Sequence, residues 1–259
     1  MSIGAGNCDA EVAFATTLRN QGFDNFTIEC LELNEKMLDR GTQLARDAEV
    51  SSNLAFVRAD FNRWSPRPDI YDAAIANQAL HHVQELEHLL DSIKRSMKPG
   101  ALFVISDMIG RNGHLRWPEA LTIVHEFWAS LPEKYKYNHQ LKRVEEAYVN
   151  WDCSTEGFEG IRAQDILPLL VRYFHFDLFI GFGNIIDPFI DRSFGPNFDQ
   201  TCEWDRSFID RVHERDEREI TRGGVKPTHM IAVLTKEPRE VPKYHPPLSP
   251  EFSIRRPDS

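Results

Sequence analysis

Apolar residues in the first 110 positions follow two periodicities in turn, which predicts alternating strands and helices. Helical spacing marks residues 11–21, 35–48 and 86–97. β-Prone or nearly unbroken apolar runs are found at residues 26–32, 54–58, 71–76 and 101–106. Asn7 or Asp9 is the expected N-cap of the first helix, and Asn34 that of the second. This alternation predicts a doubly wound α/β sheet with right-handed crossovers.

The alternation breaks after Asp107. Residues 116–150 are rich in large aromatic side chains and predict two helices, and a second irregular stretch at 184–200 precedes a charged helix at 203–222. Between them the pattern predicts a helix at 162–173 and a strand at 174–181, and a last strand follows at 228–235. Six prolines after residue 236 argue against a regular element there. We therefore predict one α/β domain over residues 1–236, with helical cap insertions at about 111–160 and 184–224 and a proline-rich tail at 237–259.

Composition narrows the classes of function. A chain of 259 residues with 41% hydrophobic residues can bury one sizeable core. Its formal net charge of -10, without a dense basic run, argues against a nucleic-acid partner. Four cysteines without C-x-x-C spacing predict neither a disulfide framework nor a zinc site. No apolar run approaches the roughly 20 residues of a membrane span and no signal peptide is evident, so we expect a cytoplasmic protein without membrane contact.

The chain opens with a glycine turn between a strand and a helix, at Gly4 and Gly6. Glycine lacks a Cβ, so the backbone can turn tightly and a ligand can lie against it, with the N–H groups of the next helix directed at it. The same glycines also occur in strand-to-helix turns for geometric reasons alone, and both interpretations stay open. Only residues 1–3 precede Gly4, so we expect either a very short first strand or a sequence that begins inside a longer natural protein.

Polar side chains also follow the next three predicted strands. Glu32 ends the second strand, Asp60 follows the third and Asn77 follows the fourth. A carboxylate can accept hydrogen bonds from both hydroxyls of a ribose, and an aspartate from a purine amine. The alternatives are a solvated glutamate and an aspartate that makes only a local turn.

These residues lie in motifs with a familiar order. The motifs are Ile3-Gly4-Ala5-Gly6, Cys30-Leu31-Glu32-Leu33-Asn34, Arg58-Ala59-Asp60-Phe61, residues 71–82, which end in Asn77-Gln78-Ala79-Leu80-His81-His82, and Met97-Lys98-Pro99-Gly100-Ala101. Over roughly residues 1–110, and again at the last strand, the chain resembles the class I S-adenosylmethionine-dependent methyltransferases. The resemblance implies a seven-stranded Rossmann-like sheet with the last strand inserted antiparallel.

The resemblance also implies a cofactor site for S-adenosyl-L-methionine. Its contacts would come from Gly4, Ala5, Gly6, Asn7, Glu32, Leu33, Asp60, Phe61, Asn77 and Gln78. The glycines would line the methionine part, Glu32 would hold the ribose, Asp60 with the Phe61 amide would hold the adenine, and Asn77 would lie near the methionine amino end. Ser2 departs from the family, which often has an acid at this position. The family's upstream strand and helix also have no counterpart here, which would weaken cofactor binding.

Histidines near the strand ends are candidates for a general base. His82 or His114 could take a proton from a substrate hydroxyl. The His81-His82 pair could equally be a structural corner with one ring bonded to the backbone, and Asp107 and His114 could be structural caps. Adjacent histidines converge poorly on one ion, so we expect no metal.

The predicted function is O-methylation of a small molecule or saccharide by direct in-line transfer. Aromatic side chains of the insertions could form a small core or a stacking surface for a ring or sugar. One alternative is a catalytically inactive nucleotide-binding partner module. Another is an NAD(P)-dependent oxidoreductase, against which Asp9 argues, because it stands where the third glycine of a dinucleotide-binding turn would be.

Overall fold

The computed structural model describes residues 1–155, 157–239 and 241–255. Its strands are β1 (Ser2–Ile3), β2 (Ile28–Glu32), β3 (Leu54–Arg58), β4 (Tyr71–Asn77), β5 (Met97–Met108), β6 (Tyr137–Asn138), β7 (Arg143–Val144), β8 (His175–Phe182) and β9 (His229–Thr235). Its α-helices are α1 (Asp9–Asn20), α2 (Glu35–Asp47), α3 (Leu86–Ser96), α4 (Pro118–Ser130), α5 (Ala163–Tyr173), α6 (Asp187–Ile190) and α7 (Glu203–Arg222).

Seven strands form one mixed sheet in the order β3-β2-β1-β4-β5-β9-β8. The pairs from β3 to β5 are parallel, and Ile3 of β1 lies opposite Leu31 on one side and Ala76 on the other. The last strand, β9, lies between β5 and β8, which is the inserted position implied by the resemblance. The predicted seven-stranded Rossmann-like sheet is therefore confirmed. Because β1 to β4 are parallel neighbours, their carboxyl ends share one edge of the sheet.

Local chemistry explains the starts of the first two helices. Asn34 is the N-cap of α2, and its side chain accepts a hydrogen bond from the Lys36 amide at 3.1 Å, as predicted. For α1 the predicted N-cap, Asn7 or Asp9, is wrong. Cys8 holds that position with a left-handed φ of 60° and makes no side-chain capping bond. The turn that leads into α1 therefore ends in a strained conformation for a residue with a Cβ.

The second helix predicted in residues 116–150 is wrong. Helix α4 ends at Ser130, and Leu131 has an extended ψ of 130° because the next residue is Pro132, which disfavours helical backbone before it. The chain then forms a short hairpin of β6 and β7. The Asn138 side chain accepts hydrogen bonds from two amides of that turn, so the polar sequence favours a turn over a helix.

The chain forms two compact units. The first comprises Met1–Asp107, Asp165–Phe179 and Ile231–Lys243. On one face of its sheet, α1 and α2 pack on β2 and β3 around a buried apolar cluster that includes Cys8, Val12 and Cys30. The start of α1 is thereby fixed against the strand ends that carry the predicted site.

The second unit comprises the described residues of Met108–Gln164, Ile180–Met230 and 244–255. Its core is a cluster of aromatic rings, in which Trp128 and Phe194 meet edge to face with centroids 4.8 Å apart. The interpretation of the insertion aromatics as a small core is confirmed for those that lie in this cluster. Leu248, from the segment expected to be a tail, is buried in the same core.

Candidate functional site

The two glycines of the opening turn have different surroundings. Both are left-handed, with φ of +66° at Gly4 and +55° at Gly6. A Cβ on Gly4 would lie 2.5 Å from the Cβ of Ala79, so this glycine allows the turn to pack against the loop after β4. A Cβ on Gly6 would have no heavy atom of the described residues within 4 Å beyond its immediate chain neighbours. The turn is therefore closed at Gly4 and open at Gly6.

Glu32 joins the end of β2 to this turn. One carboxylate oxygen accepts the Gly6 amide at 3.1 Å, and the other accepts the Asn34 amide at 2.9 Å. A carboxylate oxygen can accept a second hydrogen bond, so both oxygens retain capacity for ligand hydroxyls. The neighbouring Leu33 side chain is 50% exposed, which provides an apolar surface beside the carboxylate.

Asp60 lies after β3 and makes a local turn. Its Oδ1 accepts from the backbone amide and the side-chain amide of Asn62 at 3.0 and 3.2 Å. Its Oδ2 lies 4.0 Å from Arg63. The turn predicted as the alternative for Asp60 is therefore present. The adenine contact assigned to Asp60 and the Phe61 amide stays a prediction.

Asn77 and Gln78 form the end of β4. Both are exposed, and Asn77 lies opposite Ser106 in the parallel register. Gln78 is left-handed with φ of 51°, and its amide donates to the Ser106 carbonyl at 2.8 Å. The glycine turn, Glu32, Asp60 and Asn77 are thus at the carboxyl ends of four adjacent strands, within the first unit.

Asp107 organises the corner that follows Gln78. One of its oxygens accepts the amides of Ala79 and Leu80 at 3.0 and 2.8 Å, and the other lies 2.6 Å from Nδ1 of His81. Asp107 and His81 are both buried. These contacts fit the interpretation of the His81-His82 pair as a structural corner. The partner of the His81 ring is the Asp107 carboxylate, whereas the sequence predicted a hydrogen bond from this ring to the backbone.

The two candidate bases have different environments. His82, in the first unit, is exposed, and its ring centroid lies 4.0 Å from that of His81. His114, in the second unit, is largely buried, and its Nε2 lies 2.7 Å from an oxygen of Glu159. A carboxylate on one ring nitrogen fixes the tautomer and stabilises the protonated ring. His114 therefore has the surroundings of a general base, and both residues stay predictions.

A buried polar cluster in the second unit was missed by the sequence analysis. One oxygen of Asp187 lies 3.0 Å from Arg116, 2.7 Å from the Thr228 hydroxyl and 3.3 Å from His229. Burial alone would raise the pKa of Asp187, but the Arg116 charge and hydrogen bonds from His229 and Thr228 hold this pKa below its ordinary value. The members are distant in sequence and lie in loops or at strand ends, so no local pattern indicates them.

A second missed feature lies directly under the glycine turn. The buried Ser2 hydroxyl donates to Glu11, in the first turn of α1, at 2.5 Å. The other Glu11 oxygen and the Asn7 side-chain oxygen are both buried and have no hydrogen-bond partner among the described residues. A glutamate beside the apolar stripe of α1 is the only sequence signal for this pair.

The first unit also contains a groove with a volume of about 550 Å³. It is lined by Pro68, Asp69, Asp91, Lys94, Arg95, Arg172, Tyr173 and Lys236. None of the predicted site residues contributes to it. The groove is therefore separate from the four strand ends described above.

Comparison with known proteins finds similarity to methyltransferases. Residues 3–105 match the family model described as a methyltransferase domain. The chain is 28% identical over 87 residues to a sterol 24-C-methyltransferase of Clavispora lusitaniae, an alignment that covers 34% of this chain and 23% of that protein. It is 23% identical over 193 residues to the 27-O-demethylrifamycin SV methyltransferase of Amycolatopsis mediterranei, covering 69% of this chain and 68% of that protein.

A solved structure shows the same fold. Geranyl diphosphate C-methyltransferase from Streptomyces coelicolor A3(2), in complex with Mg²⁺, geranyl diphosphate and S-adenosyl-L-homocysteine, superposes with a TM-score of 0.51 at 12% identity. The superposition covers 91% of this chain and 70% of that one.

The sequence alignments span about a quarter of the sterol methyltransferase and about two thirds of the rifamycin methyltransferase. Within the described residues, every helix is too short or too polar to cross a bilayer.

Proposed function

We propose that this chain is a class I S-adenosylmethionine-dependent methyltransferase that transfers the cofactor's methyl group to a hydroxyl of a small molecule or saccharide. The match of residues 3–105 to a methyltransferase domain supports this proposal. The observation that carries the proposal is the row of four strand ends. The glycine turn, Glu32, Asp60 and Asn77 follow adjacent parallel strands in the order in which the family uses them. Transfer in one in-line displacement is the proposed reaction.

The residues of this row fit S-adenosylmethionine. The space beside Gly6 leaves the backbone accessible, and Glu32 has a further acceptor position on each oxygen. We assign the methionine part to Gly4, Ala5, Gly6 and Asn7, the ribose to Glu32 and the adenine to Leu33, Asp60 and Phe61. Asn77 and Gln78 would border the methionine end.

When bound, S-adenosylmethionine supplies an activated methyl group whose transfer leaves a neutral thioether. The chain therefore has no departing anion to stabilise. Its contribution is to hold cofactor and acceptor in line, which is worth up to about 7 to 11 kcal/mol in favourable cases. The rigid turn at Gly4 and the Glu32 bond to the Gly6 amide serve that positioning.

A hydroxyl acceptor also requires removal of a proton. His114 is our first candidate because Glu159 holds one of its ring nitrogens at 2.7 Å, and His82 is the second. The preference for oxygen is supported by the rifamycin relative, whose name specifies an O-demethylated acceptor and whose alignment extends over more of this chain than that of the sterol enzyme.

Methyl transfer is tested with S-adenosylmethionine that carries a labelled methyl group, incubated with the purified chain and a small-molecule extract. We expect the label in extractable small molecules. His114→Gln should lower the transfer rate about a hundredfold or more if this ring is the base. His82→Gln is the matched comparison. If S-adenosylhomocysteine binds but no extract yields a labelled product, the inactive partner module replaces the enzyme.

A further inference from the structure

Glu11 is an acidic side chain in an unusual position. It occupies the first turn of α1, immediately after the glycine turn, and is only 7% exposed. Glutamate is almost never this buried unless it is paired. Ser2, on the strand that precedes the turn, donates its hydroxyl to Glu11 Oε1 at 2.5 Å. The carboxylate is therefore clamped between Ser2 of β1 and the start of α1.

The hydrogen bond from Ser2 reaches only one of the two Glu11 carboxylate oxygens. Oε2 of Glu11 is buried and has no hydrogen-bond partner among the described residues, and the same holds for Oδ1 of Asn7, in the turn itself. The N-terminus of α1 favours a negative charge at this position, but none of its described N–H groups donates a hydrogen bond to Oε2. A buried carboxylate is costly without a partner cation or further donors. Within the described part of the chain, two acceptors beside the glycine turn thus have no donor.

Glu11 also lies near the buried thiol of Cys30 on β2. The pKa of the buried Cys30 thiol on β2 is raised, first by its hydrogen bond with Cys8, then by burial and further by the charge of Glu11. Cys30 lies opposite Ser2 in the parallel register. Ser2 is therefore the neighbour of Cys30 across the two strands and the hydrogen-bond partner of Glu11 on α1.

We propose that Glu11 is a positioning residue whose carboxylate, together with the Asn7 oxygen, receives the primary ammonium group at the aminoacyl end of the cofactor. This inference rests on the proposed function. An ammonium offers three donors and the missing positive charge, which matches two acceptors that carry one negative charge.

The test compares two ligands and two variants by calorimetry. S-adenosylhomocysteine has the aminoacyl end, whereas 5′-methylthioadenosine shares the nucleoside and thioether but lacks it. Glu11→Gln should weaken S-adenosylhomocysteine binding about tenfold or more and leave methylthioadenosine binding unchanged. Glu29→Gln is the matched control, because Glu29 lies on β2 of the same unit and accepts from the Tyr71 hydroxyl at 2.8 Å. It should change neither affinity.

Ligand-free stability provides a second readout. Removal of an unpaired buried charge should keep or raise the melting temperature of the Glu11→Gln variant, whereas a purely structural carboxylate would lower it when lost. Equal weakening of both ligands, or no change in S-adenosylhomocysteine affinity, would overturn the proposal. If Glu11→Gln does not fold, Glu11→Asp should show the same selective weakening, because its carboxylate has a shorter reach. A wild-type chain that binds neither ligand contradicts the proposed function instead.

Discussion

Gly4 and Gly6 have the same left-handed backbone but different constraints. A methyl group on Gly4 would collide with Ala79, and one on Gly6 would extend into open space. Gly4→Ala should therefore lower the free energy of unfolding by about 2 to 5 kcal/mol, from backbone strain and overpacking together. Gly6→Ala should lower it by only about 1 to 2 kcal/mol.

The two glycine variants should also differ in ligand binding. Gly6→Ala should weaken S-adenosylhomocysteine binding more than Gly4→Ala does when each loss of affinity is divided by the variant's loss of stability. The reason is that the methyl group added at Gly6 occupies the surface assigned to the ligand. Chemical denaturation and calorimetry on the same preparations measure both effects. Equal stability losses would contradict the account of a turn closed at Gly4 and open at Gly6.

Glu32 is the residue on which the ribose assignment depends. Glu32→Ala should weaken S-adenosylhomocysteine and 5′-methylthioadenosine alike, about tenfold or more, because both carry the ribose and because the Gly6 amide loses its acceptor. Glu35→Ala is the control, since Glu35 is an exposed partner of Arg58. Unchanged affinity in Glu32→Ala would refute the ribose assignment while the fold assignment stands.

The sequence predicted candidate site residues from their position at strand ends. It did not predict residues whose contacts depend on how distant elements pack. Glu32 and Asn77 could be named because each ends an apolar run. The Ser2 to Glu11 bond could not, because it depends on how α1 packs on β1. The Asp187 cluster needs residues far apart in the chain to meet, so no periodicity predicts it.

Elements were predictable where local signals agreed. Strand β3 has the predicted bounds, and α2 begins after the predicted Asn34 cap. Predictions were wrong where one residue overrode composition. In the aromatic stretch, helix α4 ends at Ser130, because Pro132 disfavours helical backbone at Leu131. At the start of α1, the left-handed Cys8 occupies the N-cap position and makes no side-chain capping bond. Helix propensity in such stretches is weaker than a single backbone constraint.

Helix α7 is held to the segment before α6 by one buried carboxylate. Asp216 accepts the amides of Asn184, Ile185 and Ile186, and burial raises the pKa of Asp216 from 3.8 to about 6. The folded state thus keeps a proton that the unfolded chain releases. The contribution of Asp216 to stability is therefore highest below about pH 4 and falls by about 3 kcal/mol as pH rises to 6 and above.

Denaturation of the wild type and of Asp216→Asn at several pH values measures this effect. The difference in unfolding free energy, wild type minus variant, should decrease as pH rises from about 4 to about 6, because the asparagine does not titrate. A difference that is constant with pH, or that increases, would contradict a raised pKa at Asp216.

For the whole molecule, the sequence predicted the architecture of the sheet more completely than that of the second unit. Four parallel strands with matched ends were readable from their order along the chain, and the comparisons agree with that assignment. The second unit combines two insertions with residues after 243, and Leu248 reaches its aromatic core. Such a core depends on long-range contacts, so the sequence marked its aromatic residues without showing which of them meet.

We propose that the four strand ends bind S-adenosylmethionine. Calorimetric titration of the purified wild-type chain, first with S-adenosylhomocysteine and then with NADPH, tests this binding. We predict saturable binding of S-adenosylhomocysteine at one site per chain and no binding of NADPH. Binding of NADPH without binding of S-adenosylhomocysteine would contradict it.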